Sequence, residues 1–75
     1  MSREFGKVVN KIAERGYLFI RPETVFPTLR GKNLFLHFSN LETDWLLVRE
    51  CDRVSFEVEQ RAKGIEAIKA KVENV

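Results

Sequence analysis

The chain has 75 residues, 44% of them hydrophobic and 32% charged, and a formal net charge of +2. This length predicts one small domain spanning residues 1–75, and the single cysteine and single histidine exclude both a disulfide framework and a structural zinc site. No apolar run approaches the ~20 residues that cross a membrane, so we expect a metal-free, cofactor-free domain in the reducing cytoplasm, not at a membrane.

Turn residues divide the chain into short strands, beginning with FGKVV near its start. The second strand ends at Pro22, which has no amide proton to donate to a neighbouring strand. A long loop at 22–33 leads to the third strand, and alternation of apolar and polar residues marks the fourth. The predicted strands are residues 5–9, 17–21, 33–38, 53–60 and 65–72.

The last segment, IEAIKAKV at 65–72, fits two kinds of structure. Ile65, Ile68 and Val72 have helical spacing, whereas Ile68, Ala70 and Val72 alternate with lysines as in a strand. We favour the strand, because a fifth strand can close a barrel and leave no exposed sheet edge. Five short strands in a chain of this length predict an all-β fold, a five-stranded antiparallel Greek-key barrel.

Rings and aliphatic residues alternate along the second and third strands. Because successive side chains of a strand point to opposite faces, the two sets lie on different sides of the sheet. We expect the aliphatic set to fill the barrel and the rings to remain outside, although an aromatic stripe alone is more often core. The aliphatic set is Leu18, Ile20, Leu34 and Leu36, and the ring set is Tyr17, Phe19, Phe35 and His37.

The charge is distributed unevenly along the chain. Residues 1–40 contain seven Lys or Arg and three acidic residues, a net charge of +4, whereas residues 41–75 contain six and eight, a net charge of −2. The basic half is also the half that carries the rings. A surface that faces a polyanion explains this pattern, and from charge alone an ordinary solvated surface explains it equally well.

The two ring-bearing segments resemble the cold-shock domain family, whose members are five-stranded OB-fold barrels that bind single-stranded RNA and DNA. The family's first ribonucleoprotein motif, roughly Lys-Gly-Phe-Gly-Phe-Ile, is similar to RGYLFI at 15–20, and its second, Val-Phe-Val-His-Phe, is similar to LFLHF at 34–38. The resemblance extends over about residues 5–72 and includes VSFEV at 54–58 and AKG at 62–64. Two motifs in this order and spacing are a stronger signal than either alone.

The resemblance implies that bases stack on the rings while basic residues follow the phosphates. Every base has a π face, so rings bind single strands with little sequence preference, typically ~1–3 kcal/mol per base. The implied role is that of an RNA chaperone or a regulator of transcription or translation. The residues predicted to bind nucleic acid are Lys7, Asn10, Lys11, Arg15, Tyr17, Phe19, Phe35, His37, Phe38, Trp45 and Lys63.

The chain departs from the family pattern at several positions. The family's Lys-Trp-Phe in the first strand is replaced by VNK at 9–11, so two expected rings are absent. We hypothesise that Lys11 contributes a phosphate contact in place of a stack. Leu18 replaces a glycine between two rings and adds bulk to the barrel, and Cys51 stands in a turn where the family tends to have glycine.

Trp45, in the segment LETDWLLV, has two interpretations. In the first, its indole lies at the rim of the ring face and stacks the base that the first strand no longer holds. In the second, Trp45 forms a hydrophobic cover at the end of the barrel together with Leu46, Leu47 and Val48.

Two other classes of function compete with nucleic-acid binding as explanations of the sequence. A nucleophilic pair of Cys51 and His37 requires contact and an orienting group, and no local motif supports it, so we expect no enzyme. A diverged OB-fold module that binds a protein partner or dimerises through its aromatic face is the alternative. Salt separates the two, because binding to a polyanion weakens steeply with ionic strength. The rings available to a protein partner are Tyr17, Phe26, Phe35 and Trp45.

Overall fold

The computed structural model describes residues 3–62 and 64–73, apart from the side chain of Thr28. The described residues form five strands, with four 3₁₀ turns in the connections between the first four of them. Among these residues no helix is long and apolar enough to span a membrane. The 3₁₀ turns are Ala13–Arg15, Pro27–Leu29, Phe38–Asn40 and Trp45–Leu47. The strands are β1 (Glu4–Ile12), β2 (Tyr17–Pro22), β3 (Leu34–His37), β4 (Arg53–Arg61) and β5 (Gly64–Val72). The final segment is therefore a strand, as predicted.

The strands close into a barrel in the order β1-β2-β3-β5-β4. The predicted five-stranded barrel is confirmed, with one difference in strand direction. Four pairings are antiparallel, whereas β3 and β5 run parallel and meet at Phe35 and Glu66. Five strands cannot alternate in direction all the way round a closed ring, so at least one pairing has to be parallel.

The barrel interior contains aliphatic residues from every strand, together with Phe56 from β4. Leu18 and Ile20 of β2 and Leu34 and Leu36 of β3 have no exposed surface, which confirms the predicted alternation. Each such side chain contributes roughly 1.5–3 kcal/mol through its removal from water. The buried core is Val8, Leu18, Ile20, Leu34, Leu36, Val48, Val54, Phe56, Ala67, Ala70 and Val72.

Strand β1 is longer than predicted and contains a bulge. It continues to Ile12, and its register against β2 shifts between Val8 and Asn10. An extra residue in one strand reverses the face on which the following side chains lie. Asn10 consequently lies opposite the outward-facing Phe19, and Lys11 lies opposite the inward-facing Leu18.

The loop between β2 and β3 contacts the barrel at two points, Glu23 and Leu29. Leu29 packs against the core, while Val25 is 86% exposed. The Glu23 carboxylate accepts hydrogen bonds of 2.9 and 3.2 Å from the Arg53 guanidinium, which also lies 4.3 Å from the centroid of the Phe5 ring. An ion pair therefore attaches the first residue of the long loop to the start of β4.

Candidate nucleic-acid interface

Three half-buried rings form a triangle on the outer face of β2 and β3. The ring centroid of Tyr17 lies 5.2 Å from that of Phe35 and 5.7 Å from that of Phe19, and Phe19 and Phe35 are 6.0 Å apart. The two pairs that include Phe19 are edge-to-face, a favoured aromatic geometry. Because each ring is held by two others, the triangle offers a preformed apolar area to a flat ligand.

His37 continues this face at the end of β3, opposite Tyr17 in the pairing with β2. Its Nδ1 accepts a hydrogen bond of 3.2 Å from the backbone N–H of Ser39 and lies 2.7 Å from the Ser39 hydroxyl. A nitrogen that accepts from an N–H carries no proton, so the neutral ring has its proton on Nε2. His37 can therefore donate a hydrogen bond from Nε2 to a base edge.

Phe38 follows directly and depends on a glycine beneath it. Its ring is 4.8 Å from the ring of His37, and the residue is 50% exposed. Gly16 has φ of 77°, and a Cβ there would lie 2.9 Å from Cδ1 of Phe38. The backbone N–H of Phe38 donates to the carbonyl of Gly16 at 2.8 Å. Gly16 is needed both for its left-handed conformation and for the close approach of the Phe38 ring.

Trp45 lies at the far end of the same row of rings. Its centroid is 6.3 Å from that of Phe38, and the side chain is partly buried against the core. The interpretation of Trp45 to Val48 as one hydrophobic cover is wrong for two of the four residues, because Leu46 is 82% and Leu47 is 56% exposed. The Asp44 carboxylate accepts from the N–H of Leu46 and turns the chain so that these two face solvent. We call the six side chains Tyr17, Phe19, Phe35, His37, Phe38 and Trp45 the ring surface.

Lys11 does not extend into solvent as a phosphate contact would. Its ammonium donates hydrogen bonds of 2.7 Å to the carbonyl of Trp45 and 2.9 Å to the carbonyl of Val48. It also lies 4.7 Å from the centroid of the Trp45 ring. This geometry contradicts the hypothesis of a phosphate contact, and the reason is the β1 bulge, which turns the side chain inward.

Other basic residues flank the ring surface at both ends. Lys7 and Arg21 are exposed and face each other on the outer side of β1 and β2, one step beyond the pair formed by Asn10 and Phe19. At the other end, Arg15 lines a cavity of about 290 Å³ together with Phe38 and Trp45. A pair of cations at one end and a single arginine at the other could thus follow a strand that crosses the rings.

Sequence reasoning missed Arg21, although it shares the period-two face of Tyr17 and Phe19 and that pattern could have identified it. Asn10 lies beside the ring surface as expected, and Lys63 is outside the described residues. Cys51 and His37 are not brought together. The N–H of Cys51 donates to a carbonyl of β1, and β2 lies between β1 and the strand of His37.

Comparisons with known proteins agree with this architecture. The profile of the 'Cold-shock' DNA-binding domain family matches residues 5–73. Cold shock-like protein CspA of Bordetella pertussis is 39% identical over 61 residues, covering 80% of this chain and 84% of the relative. Cold shock protein CspC of Bacillus subtilis is 39% identical over 56 residues, covering 73% and 76%.

Among solved structures, the Drosophila Unr structure described as CSD456 matches with a TM-score of 0.72 and 25% identity, covering 96% of this chain and 27% of that one. The family profile covers all of the barrel except Glu4, and both curated relatives match over more than two thirds of their own length. The chain belongs to the cold-shock DNA-binding domain family, a family of nucleic-acid-binding proteins.

Proposed function

We propose that this protein binds single-stranded RNA or DNA on the ring surface, with its bases stacked on the rings and its phosphates on flanking cations. The observation that carries the proposal is the continuity of the rings. Neighbouring centroids within each half of the row are 4.8 to 6.3 Å apart, and the register pairs Tyr17 of one half with His37 of the other. Exposed arginine or lysine stands at each end of the row.

The mechanism that follows is a shift of the equilibrium between paired and unpaired strands. A base that stacks on a ring is unavailable to a duplex, so binding favours the open strand. Stacking reads the π face of a base more than its edge, so sequence preference is weak, with the Nε2–H of His37 as a polar contact. This activity is that of an RNA chaperone, or of a regulator that keeps a transcript unpaired, in the cytoplasm.

A titration with homopolymeric oligonucleotides at two salt concentrations tests the proposal. We expect single strands of DNA and RNA to bind, duplexes to bind weakly, and the logarithm of the affinity to fall with the logarithm of salt concentration by ~0.7 per phosphate neutralised. A partner protein held by the rings would bind with little dependence on salt. Absence of oligonucleotide binding at low salt would contradict the proposal and favour the protein-interaction alternative.

Truncation of the rings tests the location of the site. Phe19→Ala and Phe35→Ala are each expected to weaken single-strand binding by about 1–3 kcal/mol, the value of one stacked base, while the domain stays folded. Val25→Ala is the control, because Val25 is apolar, 86% exposed and lies in the loop after β2. Normal binding by both ring variants, measured by fluorescence anisotropy, would show that the site lies elsewhere.

A further inference from the structure

The β1 bulge places Lys11 on the inward side of its strand, where a regular strand would not place it. Without the extra residue, the side chain at position 11 would lie on the outer face, beside the rings. With it, Lys11 lies opposite Leu18, whose side chain is fully buried, and reaches across the end of the barrel. A long side chain at that place carries its charge to the rim of the interior.

The ammonium of Lys11 is engaged on the 45–48 turn. It has three N–H donors, of which two are directed to the carbonyls of Trp45 and Val48, and its charge lies over the Trp45 ring. The backbone N–H of Lys11 also donates to the carboxylate of Glu50 at 3.2 Å, on the same connecting segment. One residue of β1 therefore holds this segment through three hydrogen bonds.

Trp45 is also held by packing against the core and against Phe38, and the segment before the turn is attached to β5 through Glu42 and Thr43. The turn's own hydrogen bonds, from the N–H groups of Leu46 and Leu47 to Asp44, set its shape but do not attach it to a strand. Val48, 1% exposed, anchors the C-terminal end of the turn in the core. Among the described residues, Lys11 supplies the hydrogen bonds that join the turn itself to a strand, one of them at the end where the indole meets Phe38.

We propose that Lys11 is a positioning residue: it holds Trp45 at the end of the ring surface and so raises the affinity for single strands without itself touching them. The proposal rests on the proposed function for its binding readout, while the placement of the indole can be measured in the free protein. It also accounts for a lysine at a position where the related family has a ring. In this chain the Lys11 side chain holds a ring of another segment, the indole of Trp45.

The first experiment measures acrylamide quenching and the emission maximum of Trp45, the single tryptophan, in the free protein. Lys11→Met keeps most of the length of the side chain but removes its donors, so we expect stronger quenching and a red shift of the emission. Lys11→Arg keeps N–H donors and is expected to restore most of the native signal. Lys71→Met, at an exposed lysine of β5, is the matched control for the loss of one charge.

The second experiment measures affinity for a short poly(dT) strand. Lys11→Met is expected to lose as much affinity as Trp45→Ala, roughly 5- to 150-fold for one stacked base. The double variant is expected to bind no more weakly than Trp45→Ala alone, because both changes remove the same contact. The salt slope of Lys11→Met is expected to stay native, whereas loss of a phosphate contact would lower it by ~0.7.

Each outcome decides the proposal. Native quenching in Lys11→Met, additive losses in the double variant, or a reduced salt slope would overturn it. If the native protein binds no oligonucleotide, the proposed function fails, and the quenching comparison alone decides whether Lys11 fixes the indole. Circular dichroism first confirms that the variants are folded. If Lys11→Met is not folded, Lys11→Gln, which retains an amide donor, replaces it in both experiments with the same changes expected in smaller degree.

Discussion

Leu18 has no exposed surface and lies opposite Leu36, although the related family has a small glycine at its position. Leu18→Ala is expected to destabilise the domain by about 2–5 kcal/mol, because truncation of a buried leucine loses apolar burial and leaves a cavity. That cost is a large share of the stability of a domain this small. Urea unfolding measures it.

Val25→Ala is the control for this measurement, since it removes apolar volume from an exposed side chain and is expected to change stability by less than about 0.5 kcal/mol. An effect of Leu18→Ala as small as that of the control would contradict the inward placement of Leu18.

Cys51 adopts φ of 74°, a left-handed conformation that disfavours residues with a Cβ. Its backbone N–H donates to the carbonyl of Val8 at 2.7 Å, so the conformation is fixed by pairing with β1. We expect Cys51→Gly to stabilise the domain by about 1 kcal/mol, because relief of the left-handed cost of ~1–2 kcal/mol exceeds the added entropy of the unfolded chain. The change is measured as a shift of the urea midpoint.

Cys51→Ala separates this effect from the loss of the thiol. Alanine keeps the Cβ and its strain, so its stability is expected to stay close to that of the native protein. If alanine and glycine stabilise equally, the backbone conformation is not the cause.

At the residue scale, the sequence predicted inward and outward side chains of β2 and β3 because a strand has a strict period of two. It could not predict the partners of Lys11, because they are carbonyls of a turn more than 30 residues further along the chain. The sequence also could not show that Leu46 and Leu47 are exposed while Val48 is buried, because a short turn has no period that assigns each residue to a face.

At the scale of elements, the strands were predicted in the right order and their ends less well. β1 was expected to end at residue 9 because the polar residues that follow look like a turn. The strand instead bulges at Val9, between Val8 and Asn10, and continues past these polar residues to Ile12. Bulges have no clear sequence signature. Proline has one, because it cannot donate to a neighbouring strand, and the predicted end of β2 at residue 21 is therefore within one residue of the observed end at Pro22.

The ion pair between the β2–β3 loop and β4 gives a prediction that depends on pH. The hydrogen bonds from Arg53 lower the pKa of the Glu23 carboxyl below its ordinary value. A lowered pKa in the folded state stabilises the fold fully above the unfolded-state pKa of about 4.3, and this stabilisation is lost as the pH falls through the lower folded-state pKa. Glu23→Gln is therefore expected to lower the melting temperature at pH 7 and to have little effect in strong acid.

The pair is exposed, so the difference is expected to be small and to shrink in high salt. Glu14→Gln, in the exposed turn after β1, is the control for the loss of one negative charge. A destabilisation by Glu23→Gln that is the same at all pH values would contradict the role of the carboxylate charge.

At the scale of the whole molecule, β2 and β3 each have an inward face that builds the core and an outward face that carries rings. Leu18 and Leu36 build the interior while Phe19 and Phe35, next to them in sequence, form the outer surface. The fold and this division could be predicted because both follow from hydrophobic alternation. The parallel pairing and the place of Trp45 could not, because they depend on how distant segments meet when the ring of strands closes.

The parallel junction between β3 and β5 is also where the barrel is most weakly closed. The paired residues there are Phe35 and Glu66, and one further isolated bridge joins Leu41 and Ala70. In contrast, β4 and β5 pair along most of their length. A barrel opens first along its thinnest pairing, so amide hydrogens that bridge β3 and β5 are expected to exchange with solvent through local breathing. Phe35 belongs to this junction and to the ring surface alike. If an oligonucleotide binds on Phe35 as proposed, we expect it to hold this junction closed, so that those amides exchange more slowly in the complex than in the free protein.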